Sequence, residues 1–218
     1  IGADIAMLTL NGAAVYTSTD QESPAVYSVE LPSEYSDYLL DYAADKPFIL
    51  NYYREGALYA RRNKLTQPWV DLYIRQTSSA YEFVDSDVSL RGVSPSKIIF
   101  VGAVDEIDRQ ERYFRELWGD DIYICRTWRH YLEFLHRDAN KGNAIEALAA
   151  ALGIGLGGVV TFGDSENDIP MLARAGTGIA VSNATDGARE AADVVSPWSN
   201  DQDAVAREWE RLKQQYGL

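Results

Sequence analysis

The sequence predicts an α/β protein: a parallel sheet flanked by helices, interrupted by an inserted α+β segment. Three observations carry this prediction. The apolar run Gly158-Val159-Val160 leads into the acidic segment Thr161-Phe-Gly-Asp-Ser-Glu-Asn-Asp168 and then into the amphipathic run Ile169 to Ala175, which reads as strand, loop, helix. From about residue 136 onward, apolar and helix-forming stretches alternate in the manner of βα units. The middle third is rich in tyrosine and alternates short strand patterns with a charged helix.

From the N-terminus, residues 1 to about 16 read as one strand and a glycine turn, and Thr17 to Pro24 as a polar connection. Phe48 to Tyr53 and Ala57 to Ala60 flank Glu55-Gly56, a hairpin signal. Lys97-Ile-Ile-Phe-Val101 is a buried-type strand, Asp105 to Leu117 a charged amphipathic helix, and Asp121 to Cys125 a further strand. The run Asn143 to Leu152 is dense in Ala and Leu, strong helix formers, and Gly153 stands where such a helix stops.

Lys141 therefore falls at or just before a helix start. A cation there opposes the helix dipole at a cost of a few tenths of a kcal/mol. The same place lets a lysine share a phosphate with nearby backbone N–H groups. Asp164, Glu166 and Asp168 follow a strand, where open α/β sheets bind ligands, and oxygen ligands beside phosphate suit Mg²⁺. The ordinary alternative for such a loop is a helix cap.

Composition excludes several classes. The 218 residues carry a net charge of −13, a field that repels nucleic-acid phosphates, so no nucleic-acid partner is expected. Hydrophobic residues make up 46%, enough for a core, with no apolar run long enough to span a membrane. The single cysteine, Cys125, rules out an intrachain disulfide and fits a cytoplasmic setting. With only His130 and His136 besides, a structural zinc site is improbable.

Three patterns mislead. His136-Arg-Asp138 with Asn143 has the spacing of a kinase catalytic loop, but the other kinase elements do not occur in order. Gly153-Ile-Gly-Leu-Gly-Gly158 matches Gly-x-Gly-x-x-Gly, yet it follows a helix and precedes a strand, the reverse of a dinucleotide site. Tyr52, Tyr53, Trp69, Trp118 and Trp128 suit a carbohydrate-stacking surface, but such residues more often pack cores.

Lys141-Gly142 at a helix start, followed by a strand and Gly163-Asp164-Ser165-Glu166-Asn167-Asp168, resembles the third and fourth motifs of the haloacid dehalogenase superfamily. Gly178 to Ala184, Ala191 to Val195 and Tyr131-Leu-Glu-Phe134 are similar to its Cof-type branch. The resemblance implies a Rossmann-like core of residues 1–16 and 135–218 and an α+β cap of residues 17–134, an antiparallel sheet with helices on one face. It implies a Mg²⁺-dependent phosphatase acting on a small phosphorylated metabolite, such as a sugar phosphate, through an aspartyl-phosphate. Asp164 would hold the metal, Lys141 the phosphoryl oxygens, and Asn167 and Asn183 the phosphate. Asp168 would orient Lys141 or a metal-bound water. Arg54, Arg126, His130 and Glu133 would be the cap's substrate contacts.

The family's Asp-x-Asp-Gly-Thr nucleophile motif does not occur in these residues. Thr9-Leu-Asn-Gly-Ala13 is similar to the family's Asn-Gly-Ala segment that opens the cap. On that register roughly seventy residues of the pattern, more than half a small domain, lie upstream. The first residue is Ile rather than Met, and the expectation is a chain that begins inside a longer protein. A second register sets Thr9 and Asn11 on the two Asp positions. Residues 136–218 with the first strand are expected to form a parallel sheet that lacks a neighbour. Two function classes follow: the phosphatase, or a non-catalytic protein that binds metal or ligand without turnover.

Overall fold

The computed structural model describes residues 5–20, 23–61 and 64–217. Asp4 and the rest of the first four residues therefore lie outside the described part. In chain order the elements are β1 (Met7–Thr9), β2 (Ala14–Tyr16), β3 (Tyr27–Ser28), α1 (Ser33–Ala43), β4 (Ile49–Arg54), β5 (Ala57–Arg61) and α2 (Gln67–Thr77). There follow β6 (Glu82–Val84), β7 (Lys97–Val101), α3 (Val104–Trp118), β8 (Ile122–Trp128), β9 (Tyr131–His136) and α4 (Lys141–Ala151). The chain closes with β10 (Val160–Gly163), α5 (Ile169–Arg174), β11 (Thr177–Ala180), α6 (Asp186–Ala191), β12 (Val194–Val195) and α7 (Ala204–Tyr216). Two compact units result, one of Ile1–Tyr27 with Asn140–Leu218, the other of Ser28–Ala139. These limits differ from the expected 16/17 and 134/135. Tyr131–His136 is a full strand of the second unit, so the chain leaves that unit only after its end.

In the first unit β10, β11 and β12 form a parallel sheet, with Val160 opposite Thr177 and Ile179 opposite Val194. Leu172 of α5, Ala180 and Val181 at the end of β11, and Ala188 of α6 make its core. The small side chains let helix and sheet approach closely. Gly142 is the sharpest case: a Cβ there would lie 2.6 Å from the Pro170 carbonyl oxygen, so α4 meets the start of α5 with no room for a methyl.

The first strand does not join this sheet, contrary to expectation. β1 pairs antiparallel with β2, Thr9 opposite Ala14, in a separate three-stranded sheet with β3. The cause is local. Leu10, Asn11 and Gly12 have φ of 53°, 56° and 97°, and three left-handed residues in a row turn the chain back on itself. This disposes of the register that sets Thr9 and Asn11 on a nucleophile strand. β10 is left at a sheet edge, with β11 on one side and no strand on the other among the described residues. Beside β10 runs a groove of about 570 Å³, lined by Phe162, Gly163, Asp164, Val181, Val205 and Trp209 among others. Val205 and Trp209 of α7, which line the groove, are 52% and 48% exposed.

The second unit is built on a six-stranded sheet of order β6-β5-β4-β7-β9-β8. Its pairings are antiparallel except β5 with β6, which is parallel. The hairpin of β4 and β5 turns at Glu55-Gly56 as expected, with Arg54 opposite Ala57. Helices cover both faces, which corrects the expectation of one. α1 and α3 bring Leu39, Leu40, Ile107 and Phe114 against Phe48, Tyr52, Ile98, Phe100 and Phe134. α2 brings Val70 and Tyr73 against Ile49, Leu58, Ile99 and Val101. The physical reason lies in β7: successive side chains of a strand point to opposite faces, and Ile98, Ile99, Phe100 and Val101 are all buried. Each such side chain contributes about 1.5–3 kcal/mol on burial, enough to require a cover on both sides.

Candidate active site

The loop after β10 is shaped by its own side chains. Ser165 and Asp168 form a capping box around the turn Glu166–Asp168, which runs directly into α5. Asp168 is 3% exposed. Its Oδ2 accepts from the backbone N–H of Asp164 at 2.9 Å and of Ser165 at 3.1 Å. Its Oδ1 accepts from Lys141 Nζ. Lys141 is the first residue of α4, behind Asn140, whose Oδ1 accepts from the Asn143 N–H at 2.9 Å and so caps the helix. The lysine's unfavourable place at a helix N-terminus is thus offset by a buried carboxylate.

Electrostatics divides the two aspartates. Burial works against ionising Asp168, but the Lys141 hydrogen bond and the two backbone donors outweigh it and hold the carboxyl below the usual range. Asp164 goes the other way: desolvation first, then the charge of Asp168, push its carboxyl up, with Lys141 opposing. Asp164 therefore carries a negative charge that its protein neighbours leave under-compensated.

Asn167, 8% exposed, is held at both ends of its amide. Its Oδ1 accepts from Ser165 Oγ at 2.7 Å, and its Nδ2 donates to Asn11 Oδ1 at 3.1 Å. Asn11 arrives on the left-handed turn between β1 and β2. Non-glycine residues held in that region cost about 1–3 kcal/mol each and persist where surrounding structure imposes them. Gly12 shows the imposition: a Cβ there would sit 2.5 Å from the Asn140 carbonyl oxygen and 3.0 Å from the Lys141 nitrogen. The turn is thus seated directly against the peptide that precedes Lys141.

Asp164, Lys141, Asn167 and Asp168 are brought together. Asn183 lies on the turn after β11, which is tied to the loop by the Thr185 N–H donating to the Asp164 carbonyl at 2.9 Å. Its own side chain is exposed and bonded to Asn200 at 2.8 Å. In the second unit, Arg126 is taken up by Asp108 at 2.8 Å and Glu111 at 3.0 Å on α3. Glu133 is buried, paired with Lys97 at 3.1 Å and accepting from Thr127 Oγ1 at 2.5 Å. His130 Nδ1 lies 2.9 Å from the Gly102 carbonyl. Arg54 pairs with Glu55 at 3.3 Å, while its buried Nε has no hydrogen-bond partner among the described residues. Tyr52 and Trp118 are packing residues as anticipated, whereas Trp128 is 59% exposed.

Asn140 and Ser165 were not anticipated as site residues, and Asn11 only in the register that sets it on a nucleophile strand, not beside Asn167. Ser165-x-x-Asp168 is a legible capping-box pattern, and Asn140 a legible helix cap. Nothing local marks Asn11 as a neighbour of a residue 156 positions away.

The described residues include no group of three or more His, Cys, Asp or Glu side chains able to hold a metal. Mg²⁺, however, keeps several waters and takes one or two carboxylates beside phosphate oxygens. Asp164, with its raised pKa, fits as one such carboxylate. Asp168 is committed to Lys141 and the backbone. No helix of the described residues is long and apolar enough to cross a membrane.

The chain is similar to known proteins over most of its length. It is 30% identical over 201 residues to a Haemophilus influenzae protein named as a phosphatase, covering 92% of this chain and 73% of that protein. It is 28% identical over 179 residues to the HMP-PP phosphatase of Yersinia pestis, covering 82% of this chain and 63% of that one. It thus spans under three quarters of the length of either relative. A solved structure of a haloacid dehalogenase-like hydrolase from Bacteroides thetaiotaomicron superposes with a TM-score of 0.80 at 23% identity, over 95% of this chain and 76% of that one. The sequence profile of the haloacid dehalogenase-like hydrolases matches residues 1–208. With that match over the same Lys141 and Asp164 loop that forms the cluster, the chain belongs to the haloacid dehalogenase-like hydrolase family.

Proposed function

We propose that this chain carries the phosphate-holding and metal-holding half of a Mg²⁺-dependent phosphatase for a small phosphorylated metabolite. The observation that supports the reading most directly is Lys141 Nζ fixed on buried Asp168 beside Asp164 and Asn167. Phosphoryl transfer is mainly a matter of positioning and charge stabilisation. Lys141 is held where it can neutralise phosphoryl oxygens, Asp168 orients it, and Asn167 offers an amide N–H. Bound Mg²⁺ would draw charge from the phosphoryl oxygens, with Asp164 among its ligands.

The attacking carboxylate is proposed to come from a strand outside residues 1–218, docked in parallel on the free edge of β10. Supporting this are the edge left unpartnered among the described residues, the apolar groove along it and the lack of Asp-x-Asp-Gly in the sequence. Asn183, on the adjoining turn, is a further phosphate contact if its bond to Asn200 opens. Arg54 and His130 are the second unit's candidates for recognising the leaving group. A second reading, binding without turnover, is favoured by the same missing motif.

The experiment is kinetic. In the natural gene product, Asp164→Asn and Lys141→Ala should each lower Mg²⁺-dependent hydrolysis of p-nitrophenyl phosphate by about a hundredfold or more, the scale of losing one charge-stabilising group. Sugar phosphates and HMP-PP should then be compared as substrates. Full turnover in either variant overturns the assignment.

A further inference from the structure

We propose that Asn11 is a positioning residue of this site, fixing the Asn167 amide so that its remaining N–H points to where a phosphate oxygen binds. This rests on the phosphatase reading above. The amide of Asn167 offers one oxygen and two N–H groups in a single plane. Ser165 Oγ takes the oxygen at 2.7 Å and Asn11 Oδ1 takes one N–H at 3.1 Å. With two directions anchored, the third is set.

The way Asn11 gets there supports a dedicated role. Thr9 pairs with Ala14, so Leu10 to Ala13 form a four-residue loop, closed by the Ala13 N–H donating to the Leu10 carbonyl at 3.1 Å. In it Leu10 is driven into the left-handed region along with Asn11 and Gly12, at φ 53°. This left-handed stretch carries the Asn11 side chain to Asn167 while Gly12 rests on the Asn140–Lys141 peptide. One turn thus references both halves of the site, the lysine's helix start and the phosphate amide. Strained backbone of this kind concentrates at functional positions. Asn11 would touch neither substrate nor metal and would act on the site through the Asn167 amide.

Two measurements test this. In ¹⁵N-labelled protein of residues 1–218, Asn11→Gly keeps the left-handed backbone that glycine adopts freely. It should shift the Asn167 side-chain amide proton upfield, and an unmoved resonance overturns the proposal. In the natural gene product, Asn11→Gly, Asn167→Ala and the double variant are assayed with p-nitrophenyl phosphate and Mg²⁺. Asn11→Gly should lower kcat/KM about tenfold, since small misplacements of a positioned group cost up to about a hundredfold. The same change in the Asn167→Ala background should cost under about twofold, because coupled residues are non-additive. An undiminished tenfold loss there would mean Asn11 acts on the fold at large, and the proposal falls. Turnover that is insensitive to Asn167→Ala likewise overturns it. If the amide resonance moves but no variant nor the parent hydrolyses the ester, the link between the two asparagines stands and the phosphatase reading is what fails.

Discussion

Asp164 and Asp168 are four residues apart and titrate in opposite senses. The Asp168 carboxyl is lowered on folding, so the stability it brings is present above the unfolded carboxylate value of about 4 and is lost as pH falls through its folded value. The Asp164 carboxyl is raised, so its contribution is favourable only below about pH 4 and is lost as pH rises through its folded value. At neutral pH an ionised, metal-free Asp164 therefore works against the fold. Asp164→Asn should raise the thermal midpoint in EDTA near pH 7, with the gain shrinking toward pH 4. Added Mg²⁺ should stabilise the parent protein and not the variant, by mass action on the folded state. Thermal melts across that pH range decide it, and a lower midpoint for Asp164→Asn at neutral pH without metal would contradict the account. Lys141, Asp164, Asn167 and Asp168 were all legible in the sequence, because a loop motif and a helix-start lysine are local patterns. Asn11 was not, since its role comes from a contact that only the folded chain creates.

Helix α4 depends on the absence of a side chain at Gly142. The nearest atoms to a Cβ there would be the Pro170 carbonyl and ring, at 2.6 to 3.0 Å, and these belong to the rigid start of α5. Gly142→Ala favours helix by propensity, about 1 kcal/mol in a helix interior. The clash should nevertheless win, for a net loss of about 1–3 kcal/mol typical of overpacking. Denaturant unfolding would show it as a lower midpoint, and an unchanged or higher midpoint would mean that α4 and α5 are not packed as described. Turnover should also drop, because α4 carries Lys141. Most elements were readable before the fold: the Glu55-Gly56 hairpin, the helix after Asn140 and the strand before the acidic loop all follow short-range rules. The face covered by α2 was missed although its signal was present. A strand that reads Ile-Ile-Phe-Val without alternation must be covered on both sides, and β7 is. The course of β1 was missed for a different reason. Leu10 is a poor left-handed residue, so no local preference announces that it will join Asn11 and Gly12 in reversing the chain.

The family and the α/β class were legible across the whole molecule from the joint spacing of Lys141 and the acidic loop, and the profile match over residues 1–208 agrees. The place of the first strand was not, because strand neighbours in a sheet are chosen by long-range packing. What the fold adds is a parallel sheet whose β10 edge, among the described residues, stands open beside Asp164, along a groove lined by the exposed Val205 and Trp209. A sheet edge of this kind is a template for another strand. The central claim is that such a strand brings the nucleophile and that residues 1–218 hold the phosphate but cannot attack it. Near-attack placement supplies on the order of 7–11 kcal/mol of a barrier, so a carboxylate elsewhere on the surface cannot substitute. The direct measurement is hydrolysis of p-nitrophenyl phosphate with Mg²⁺ by purified protein of residues 1–218, beside its Asp164→Asn variant. The account expects no turnover above buffer from either. Metal-dependent turnover by the parent that Asp164→Asn abolishes would place the nucleophile within these residues and contradict it.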